Sequence, residues 1–461
     1  MKKITLILIF LSFNLTFSQG FTKNEINNGF GQTRGIEIAD LNNDGHLDVI
    51  GLTVDDTPEV AFWLNNEASG FGNKIIVDDD LEDYGNNGDD ITVLDVNNDG
   101  FLDIITSVQF SFDNKLVWYP NNKDGTFGNR IVIDSGGGSS NDIVIMDVDN
   151  NGFDDILIVY TFYPGVVDGL YYFPNSGSGT FNSKELILET EIKSFSKAKL
   201  NDDSFYDLVF DKSGANSGIN RLINNGDGTF GTNFTIDNTQ FPPNYISVGR
   251  VNNDQFDDII VSFISPTGTF AWYAGDGTGN FGSINVISDN EYDQITHSEI
   301  ADLDSDGDKD IVATAYFSTD LIWWENDGNG NFGSAKIIDN ETPFSYDVKS
   351  VDMDQDGELD IFVSNATGIS WYKNNRSLSN GSFQLDNHKI VIFPNPSNGR
   401  FTINSSEVIK EIKVFNVLGK IVFKKSNVEG EIDLTNIQKG IYLLEIKNQE
   451  GETLKSKIVK E

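Results

Sequence analysis

The chain has 461 residues, 71 of them Asp or Glu against 32 Lys or Arg, no cysteine, and a formal charge of −39. That acidity disfavours nucleic acid and anionic lipid as partners, and the missing cysteine excludes a disulfide framework, thiol chemistry and a cysteine-linked lipid anchor. Abundant Gly (44) and Phe (34) with only 3 Met point to an all-β protein rich in turns.

Residues 1–18 read as a signal peptide. Lys2 and Lys3 precede an apolar run from Ile4 to Phe17, and Thr16 and Ser18 satisfy the small-residue rule for cleavage. The run is too short for a stable membrane span, and no later stretch is long and apolar enough. The mature chain is therefore expected to be secreted, without membrane insertion.

Residues 19–385 hold a repeat. A nine-residue loop starts at Asp40, Asp95, Asp147, Lys199, Arg250, Asp302 and Asp352, at intervals of 50 to 55 residues. Each loop opens into an apolar stretch such as Ile156 to Val159. A second apolar strand follows, holding all six Trp residues of the chain, and then a Gly-rich turn with Phe71, Phe127, Phe181, Phe230, Phe281 or Phe332. Four short strands per period is the signature of a propeller blade. One blade cannot bury both faces of its sheet, whereas seven in a ring can, with Trp and Phe between them. Phe21 precedes Asp40 by 19 residues, the spacing other blades show between Phe and the next loop. Residues 21–27 are thus expected to supply the outer strand of the last blade and close the ring, leaving Phe383 a reduced role.

Five of the loops carry oxygen donors at positions 1, 3, 5 and 9, Gly at 6, and a varied residue at 7. They are Asp40, Asn42, Asp44, His46 and Asp48; Asp95, Asn97, Asp99, Phe101 and Asp103; Asp147, Asp149, Asn151, Phe153 and Asp155; Asp302, Asp304, Asp306, Asp308 and Asp310; and Asp352, Asp354, Asp356, Glu358 and Asp360. Calcium takes six to eight hard oxygens, and alternating acids on a tight turn deliver them, with position 7 offering its carbonyl. An EF-hand needs an acid at position 12, where Gly51, Thr106, Ile158, Ala313 and Val363 stand. Metal-free Asx turns would leave 17 carboxylates crowded without compensation. Five structural calcium ions are expected. The other two loops begin with Lys199 and Arg250 and replace the Gly by Ser204 and Gln255. There a basic side chain is expected to pair with Asp203 and Asp207, or with Asp254 and Asp258, in place of an ion.

From Asp386 onward basic residues outnumber acidic ones, 12 to 10, against 18 basic and 61 acidic in residues 19–385. This shift marks a boundary. Alternating strands broken by Gly and Asn turns make residues 386–461 a small β-sandwich.

The loop at Asp40 to Asp48, its copies, and pairs such as Phe71 with Gly72 resemble the FG-GAP/VCBS repeat, the propeller type of integrin α-subunits. The resemblance implies a calcium loop between the first two strands on the lower face and ligand binding on the upper face. By that analogy residues 77–90, 160–169, 236–246, 288–298 and 338–347 form upper loops. The tail, from Phe393 to Gly399, through Val414 to Gly419, Asp433 with Leu434, Lys439 to Tyr442, and Lys457 to Lys460, resembles the C-terminal sorting domain of the bacterial type IX secretion system. That resemblance implies recognition by an outer-membrane translocon and a secreted or cell-surface product.

Catalytic signatures are missing. The only histidines are His46, His297 and His388, and no nucleophile elbow, phosphate loop or zinc motif occurs. No catalytic residue is assigned. Upper-loop aromatics (Tyr84, Tyr160, Phe162, Tyr163, Tyr245, Tyr292, Tyr316, Phe317, Phe344 and Tyr346) beside acids and amides suit stacking on a sugar or packing on a protein. A binding or adhesion module for glycan or protein is the favoured reading, with a polysaccharide-degrading lyase or hydrolase as the alternative.

Overall fold

The computed structural model describes residues 20–375, apart from 27–29, 55–57, 67–69, 82–89, 111–112, 138–141, 162–165, 214–216, 241, 264–267, 290 and 293. It also describes residues 390–460, apart from 394–396, 406–408, 417–419, 429 and 449–452. The expected signal peptide, Phe383, and the boundary near Asp386 lie outside the described residues. The chain divides into two compact units, Met1–Asn375 and Arg376–Glu461, and every regular element described is a strand.

The first unit is a seven-bladed propeller. Six blades are four-stranded antiparallel sheets in chain order, beginning with Thr33–Ala39, Asp48–Thr53, Val60–Trp63 and Ile75–Asp78. The seven innermost strands start at Thr33, Ile91, Ile143, Phe195, Pro243, Ile295 and Asp347, and each touches its two neighbours around a closed ring. Second strands such as Asp155–Tyr160 and Asp310–Ala315 are buried along their whole length, because neighbouring blades cover both faces. Outer strands such as Glu185–Glu189 keep solvent on one side.

The seventh blade is closed by the beginning of the chain. Phe21–Glu25 pairs antiparallel with Gly368–Asn374, Phe21 opposite Asn374 and Glu25 opposite Ser370. The Ile26 N–H donates to the Ile369 carbonyl at 3.1 Å and that of Asn375 to the Gly20 carbonyl at 2.7 Å. Phe21 meets the Trp323 ring edge-on at 6.2 Å, in the preceding blade. The expected closure is thus present over the described part of residues 21–27.

Apolar packing follows the ring. Seven buried clusters each draw on two consecutive blades, from Ile50 with Ile104 between the first pair to Trp63 with Phe362 between the last and the first. Burying one Phe or Leu side chain contributes about 1.5–3 kcal/mol, so each interface is held by several such terms. Five of the six tryptophans are buried in these clusters, and Trp371 packs at the edge of the last. The Gly-rich turns are pinned by bridges such as Asn65 to Phe71 and Asn326 to Phe332.

The second unit is a β-sandwich. Ile390–Phe393, Arg400–Ser405 and Gly430–Asp433 form one sheet, and Ile421–Val428, Ile409–Asn416, Gly440–Asn448 and Thr453–Lys460 the other. Phe401, Ile403 and Ile432 of the first meet Ile412, Val414 and Leu444 of the second in one core. Gly399 (φ +110°) lies against the Thr435 backbone, where a Cβ would come within 2.8 Å, which explains the glycine ending that motif.

Candidate metal centres and the axial channel

Each nine-residue loop joins the innermost strand of its blade to the second, so all seven loops lie on one rim of the ring. Five of them share a backbone. Position 4 is left-handed at Asn43, Asn98, Asn150, Ser305 and Gln355 (φ 53–59°), and position 6 at Gly45, Gly100, Gly152, Gly307 and Gly357 (φ 85–100°). In the loops beginning at Lys199 and Arg250 neither position has positive φ. The fold separates five loops from two, as the donor residues do.

This backbone aims the loop inward. The Asp44 N–H donates to Asp40 Oδ1 at 3.1 Å and the Gly45 N–H to Asp40 Oδ2 at 2.9 Å, and the same pair recurs on Asp95, Asp147 and Asp352. Carboxylate oxygens of Asp147, Asp149 and Asp155 lie within 4.8 Å of one another, as do those of Asp302, Asp304 and Asp310, and of Asp352, Asp354 and Asp356. In the first two loops Asn42 and Asn97 take the place of the third acid. Asn97 Oδ1 and Asp302 Oδ1 are buried acceptors without a hydrogen-bond partner. Hard oxygens converging on orphaned acceptors fit a calcium ion. Lysines approach two of these loops: Lys123 lies 3.2 Å from Asp99, and Lys373 pairs with Asp354.

The ninth residue has a second task. Asp48 Oδ2 accepts the Leu41 N–H at 3.1 Å and Oδ1 the Asn65 N–H at 2.8 Å, stapling the loop to the end of the third strand. Both bonds recur on Asp103, Asp155, Asp207, Asp258 and Asp310, and Asp360 keeps the second, to Asn374. Burial pushes these carboxyls up, to about 6 for Asp48 and about 7 for Asp155 and Asp360, against the lowering by backbone N–H groups. Position 7 turns its side chain away from the loop interior: Glu358 Oε2 accepts from Ser305 of the neighbouring loop at 2.8 Å, and His46 Nδ1 lies 3.3 Å from Gln355.

The basic residues of the two eroded loops do not pair as expected. The Lys199 ammonium binds the Ser204 carbonyl and covers the Tyr206 ring, while Arg250 lies 3.6 Å from Asp257 rather than on Asp254 or Asp258. Without glycine at position 6 the loop takes another backbone, and the cation settles on the groups that backbone presents.

A channel runs along the ring axis from the opposite rim. Five residues before each loop stand Gly35, Asp90, Asp142, Ser194, Tyr245, His297 and Asp347, lining a cavity of about 520 Å³. Several of these tie blades together. Asp90 Oδ2 accepts the Ile143 N–H at 2.7 Å, Asp142 Oδ2 the Phe195 N–H at 3.1 Å, Ser194 Oγ the Ile246 N–H at 3.3 Å, and Asp347 Oδ2 the Ile36 N–H at 3.4 Å. Each donor is an N–H on the free edge of an innermost strand, left unpaired by the sheet. Two residues further along, Glu37, Glu299 and Lys349 face one another, with Lys349 3.9 Å from Glu37. These side chains are half-buried and crowded along the ring axis, and desolvation drives the shifts: Asp90 and Glu299 rise to about 7, Asp142 to about 8, and His297 falls. The carboxylates around Lys349, Glu37 first and Asp347 next, hold its ammonium protonated well above the usual lysine range.

Beside the channel mouth, four aromatics gather from the sixth and seventh blades. The Tyr316 ring lies 5.0 Å from Phe317, 5.1 Å from Phe344 and 5.6 Å from Tyr346, and Arg34 covers Tyr346 at 5.3 Å. Phe317 is 60% and Phe344 45% exposed, and Phe344 holds φ +49°, a conformation a bulky residue rarely adopts.

Residues 40–106, 95–158, 250–313 and 302–363, just over half of the chain, match the FG-GAP-like repeat. The chain belongs to the FG-GAP-like repeat family. Residues 391–461 match the secretion system C-terminal sorting domain, so this FG-GAP-like protein is exported, to the outside or the surface of the cell, and its tail is what the type IX secretion machinery recognises. Among solved structures it is similar to an Agrocybe aegerita lectin that recognises non-reducing terminal N-acetylglucosamine, at 19% identity and a TM-score of 0.50, over 74% of this chain and 87% of that one. PorZ, a surface component of the type-IX secretion system of Porphyromonas gingivalis, aligns at 13% identity and a TM-score of 0.46, over 92% of this chain and 59% of that one. Beta-agarase D of Zobellia galactanivorans is 37% identical over 71 residues, 15% of each chain. The FG-GAP-like protein thus spans a small part of that enzyme.

The upper-loop aromatics of the FG-GAP-like propeller sort into three groups. Tyr160 and Tyr292 are buried, Tyr245 lines the channel, and Tyr316, Phe317, Phe344 and Tyr346 form the cluster. Tyr84, Phe162 and Tyr163 lie outside the described residues. Sequence reasoning passed over the channel acids Asp90 and Asp142, although both stand five residues before a loop.

Proposed function

We propose that this exported propeller is a binding module held rigid by five calcium ions, and that it captures a glycan on the rim opposite the calcium loops. The observation that carries the reading is the cluster of Tyr316, Phe317, Phe344 and Tyr346, which leaves two phenyl rings in solvent beside a guanidinium and the Gln32 amide. Exposed rings flanked by hydrogen-bonding groups suit the apolar face and the hydroxyls of a sugar. The propeller fold shared with the Agrocybe aegerita lectin is compatible with this role but does not assign it. The calcium sites are structural in this reading: they sit on the far rim and fix the blade corners, in the manner of Asp40 and its loop.

A degradative enzyme is the second reading, favoured by Asp90 and Asp142, two carboxyls raised toward neutrality as acid–base catalysts are. A glycan array combined with a lyase and hydrolase screen on the purified protein separates the two. The binding reading predicts a defined set of array hits that F317A/F344A weakens about tenfold or more, without turnover. Turnover abolished by Asp142→Asn, or array binding indifferent to the aromatic variant, contradicts it.

A further inference from the structure

The five intact loops are neighbours. They belong to the sixth, seventh, first, second and third blades, an unbroken arc that crosses the point where the ring closes, and the two eroded loops fill the remaining gap. Position 4 joins much of this arc. With its left-handed backbone, the side chain at this position reaches across to the next loop. The Asn43 amide donates to the Gly100 carbonyl of the second loop at 2.8 Å. The Gln355 amide donates to the Gly45 carbonyl of the first loop at 2.9 Å, with His46 Nδ1 at 3.3 Å. Ser305 Oγ donates to Glu358 Oε2 of the seventh loop at 2.8 Å. Three consecutive gaps, from the sixth loop to the second, are bridged in one direction, each from position 4 to position 6 or 7 of the next loop. Asn98 makes no such bond to the third loop among the described residues.

The receiving peptide is held from both sides. While the Gly45 carbonyl accepts from Gln355, the N–H of the same peptide, that of His46, donates to Asp44 Oδ1 at 2.9 Å. The peptide between Gly100 and Phe101 repeats this, its carbonyl on Asn43 and its N–H on Asp99 Oδ1 at 3.0 Å. Glu358, which takes the bond from Ser305, donates its own N–H to Asp356 Oδ1 at 3.0 Å. Asp44, Asp99 and Asp356 are the fifth-position ligands in the calcium reading. Hydrogen bonds arranged in a chain strengthen one another, and a peptide fixed at its carbonyl has its N–H direction fixed too. Ordering one loop therefore orders its position-4 side chain, which sets the peptide that aims a ligand of the next loop.

We infer that Ser305, Gln355 and Asn43 are positioning residues that couple the calcium sites of the sixth, seventh, first and second loops. These four sites fill together over a narrow range of calcium, and the third fills on its own. The inference rests on the calcium reading and adds how the ions bind. Because the arc spans the seam between the last blade and the first, the step that loads these ions also locks the ring closure.

Calcium titration of the exported protein, first stripped of metal, tests the coupling, with calorimetry counting the ions and thermal melts in calcium buffers following the order of filling. About five ions are expected, four of them in a steep phase with a Hill coefficient above about 2. Gln355→Ala breaks the arc in its middle. It is expected to keep the ion count, flatten the steep phase and raise its calcium midpoint about fivefold or more. Gln355→Asn is expected to restore most of the slope, since Asn43 makes the same bond with that side chain. Asn98→Ala is the control: it is harsher on a left-handed backbone, which Asn tolerates better than Ala, yet removes no bond to another described loop. It should leave the steep phase unchanged. Equal flattening by the two alanine variants, or independent filling with a Hill coefficient near about 1 in the parent, overturns the coupling and leaves the calcium reading standing. A protein that binds no calcium removes both.

Discussion

Asp207 and Asp258 persist in two loops that have lost the glycine and the first acid, and the staple explains why. Each accepts two backbone N–H groups inside the blade, a role independent of any ion. Asp207→Ala leaves both donors buried without an acceptor, at a cost of about 2–4 kcal/mol. Thermal melts should show that loss equally with calcium and with chelator. Asp149→Ala, at position 3 of an intact loop, should lower the melting temperature with calcium present and cost little after chelation. Asp142 supplies a pH test. Its folded carboxyl, pushed up to about 8 by burial and by Asp90, holds a proton that the unfolded chain releases near 4. Stability from this group is full below about 4 and falls as pH rises toward about 8. Melting curves of Asp142→Asn against the parent, at fixed calcium, should show a shallower decline across that window; parallel curves would refute the assignment.

At the scale of elements, the strand Phe21–Glu25 decides whether the ring is closed by hydrogen bonds. Removing residues 19–26 exposes the edge of Gly368–Asn374 and takes Phe21 off Trp323. A melting temperature lowered by several degrees and a tendency to associate in sedimentation velocity are expected, since an unpaired central-length edge strand recruits partners. This closure was legible in the sequence because Phe21 keeps the phase of the repeat. So was the division into five loops and two, because left-handed positions 4 and 6 favour Asn and Gly and are abandoned where Ser204 and Gln255 stand. The staple was not legible: Asp48 and Asn65 are 17 residues apart, and nothing local marks the bond. The channel ring was hidden for a different reason. Its positions are periodic, but Asp recurs only at Asp90, Asp142 and Asp347, while Gly35, Ser194, Tyr245 and His297 all differ, so self-similarity passes over them. The eroded loops misled in detail, because a pairing of Arg250 with Asp254 or Asp258 presumes the intact backbone.

For the whole molecule, the charge of −39 and the fold make opposite demands. Seven apolar interfaces pull the blades together, while acids crowd one rim and the axis. Tyrosine hydroxyls spread some of that charge between blades, as in Tyr119 to Asp78 at 2.9 Å, Tyr273 to Asp237 at 2.6 Å and Tyr372 to Asp339 at 2.7 Å. Bound calcium would neutralise the loops and make the rigid scaffold that a binding rim requires. Elemental analysis of the exported, desalted protein, paired with thermal melts before and after chelation, tests this most directly. About five calcium ions per chain and a melting temperature that drops on chelation and returns with calcium are predicted; a protein free of metal whose melt ignores the chelator would contradict the account.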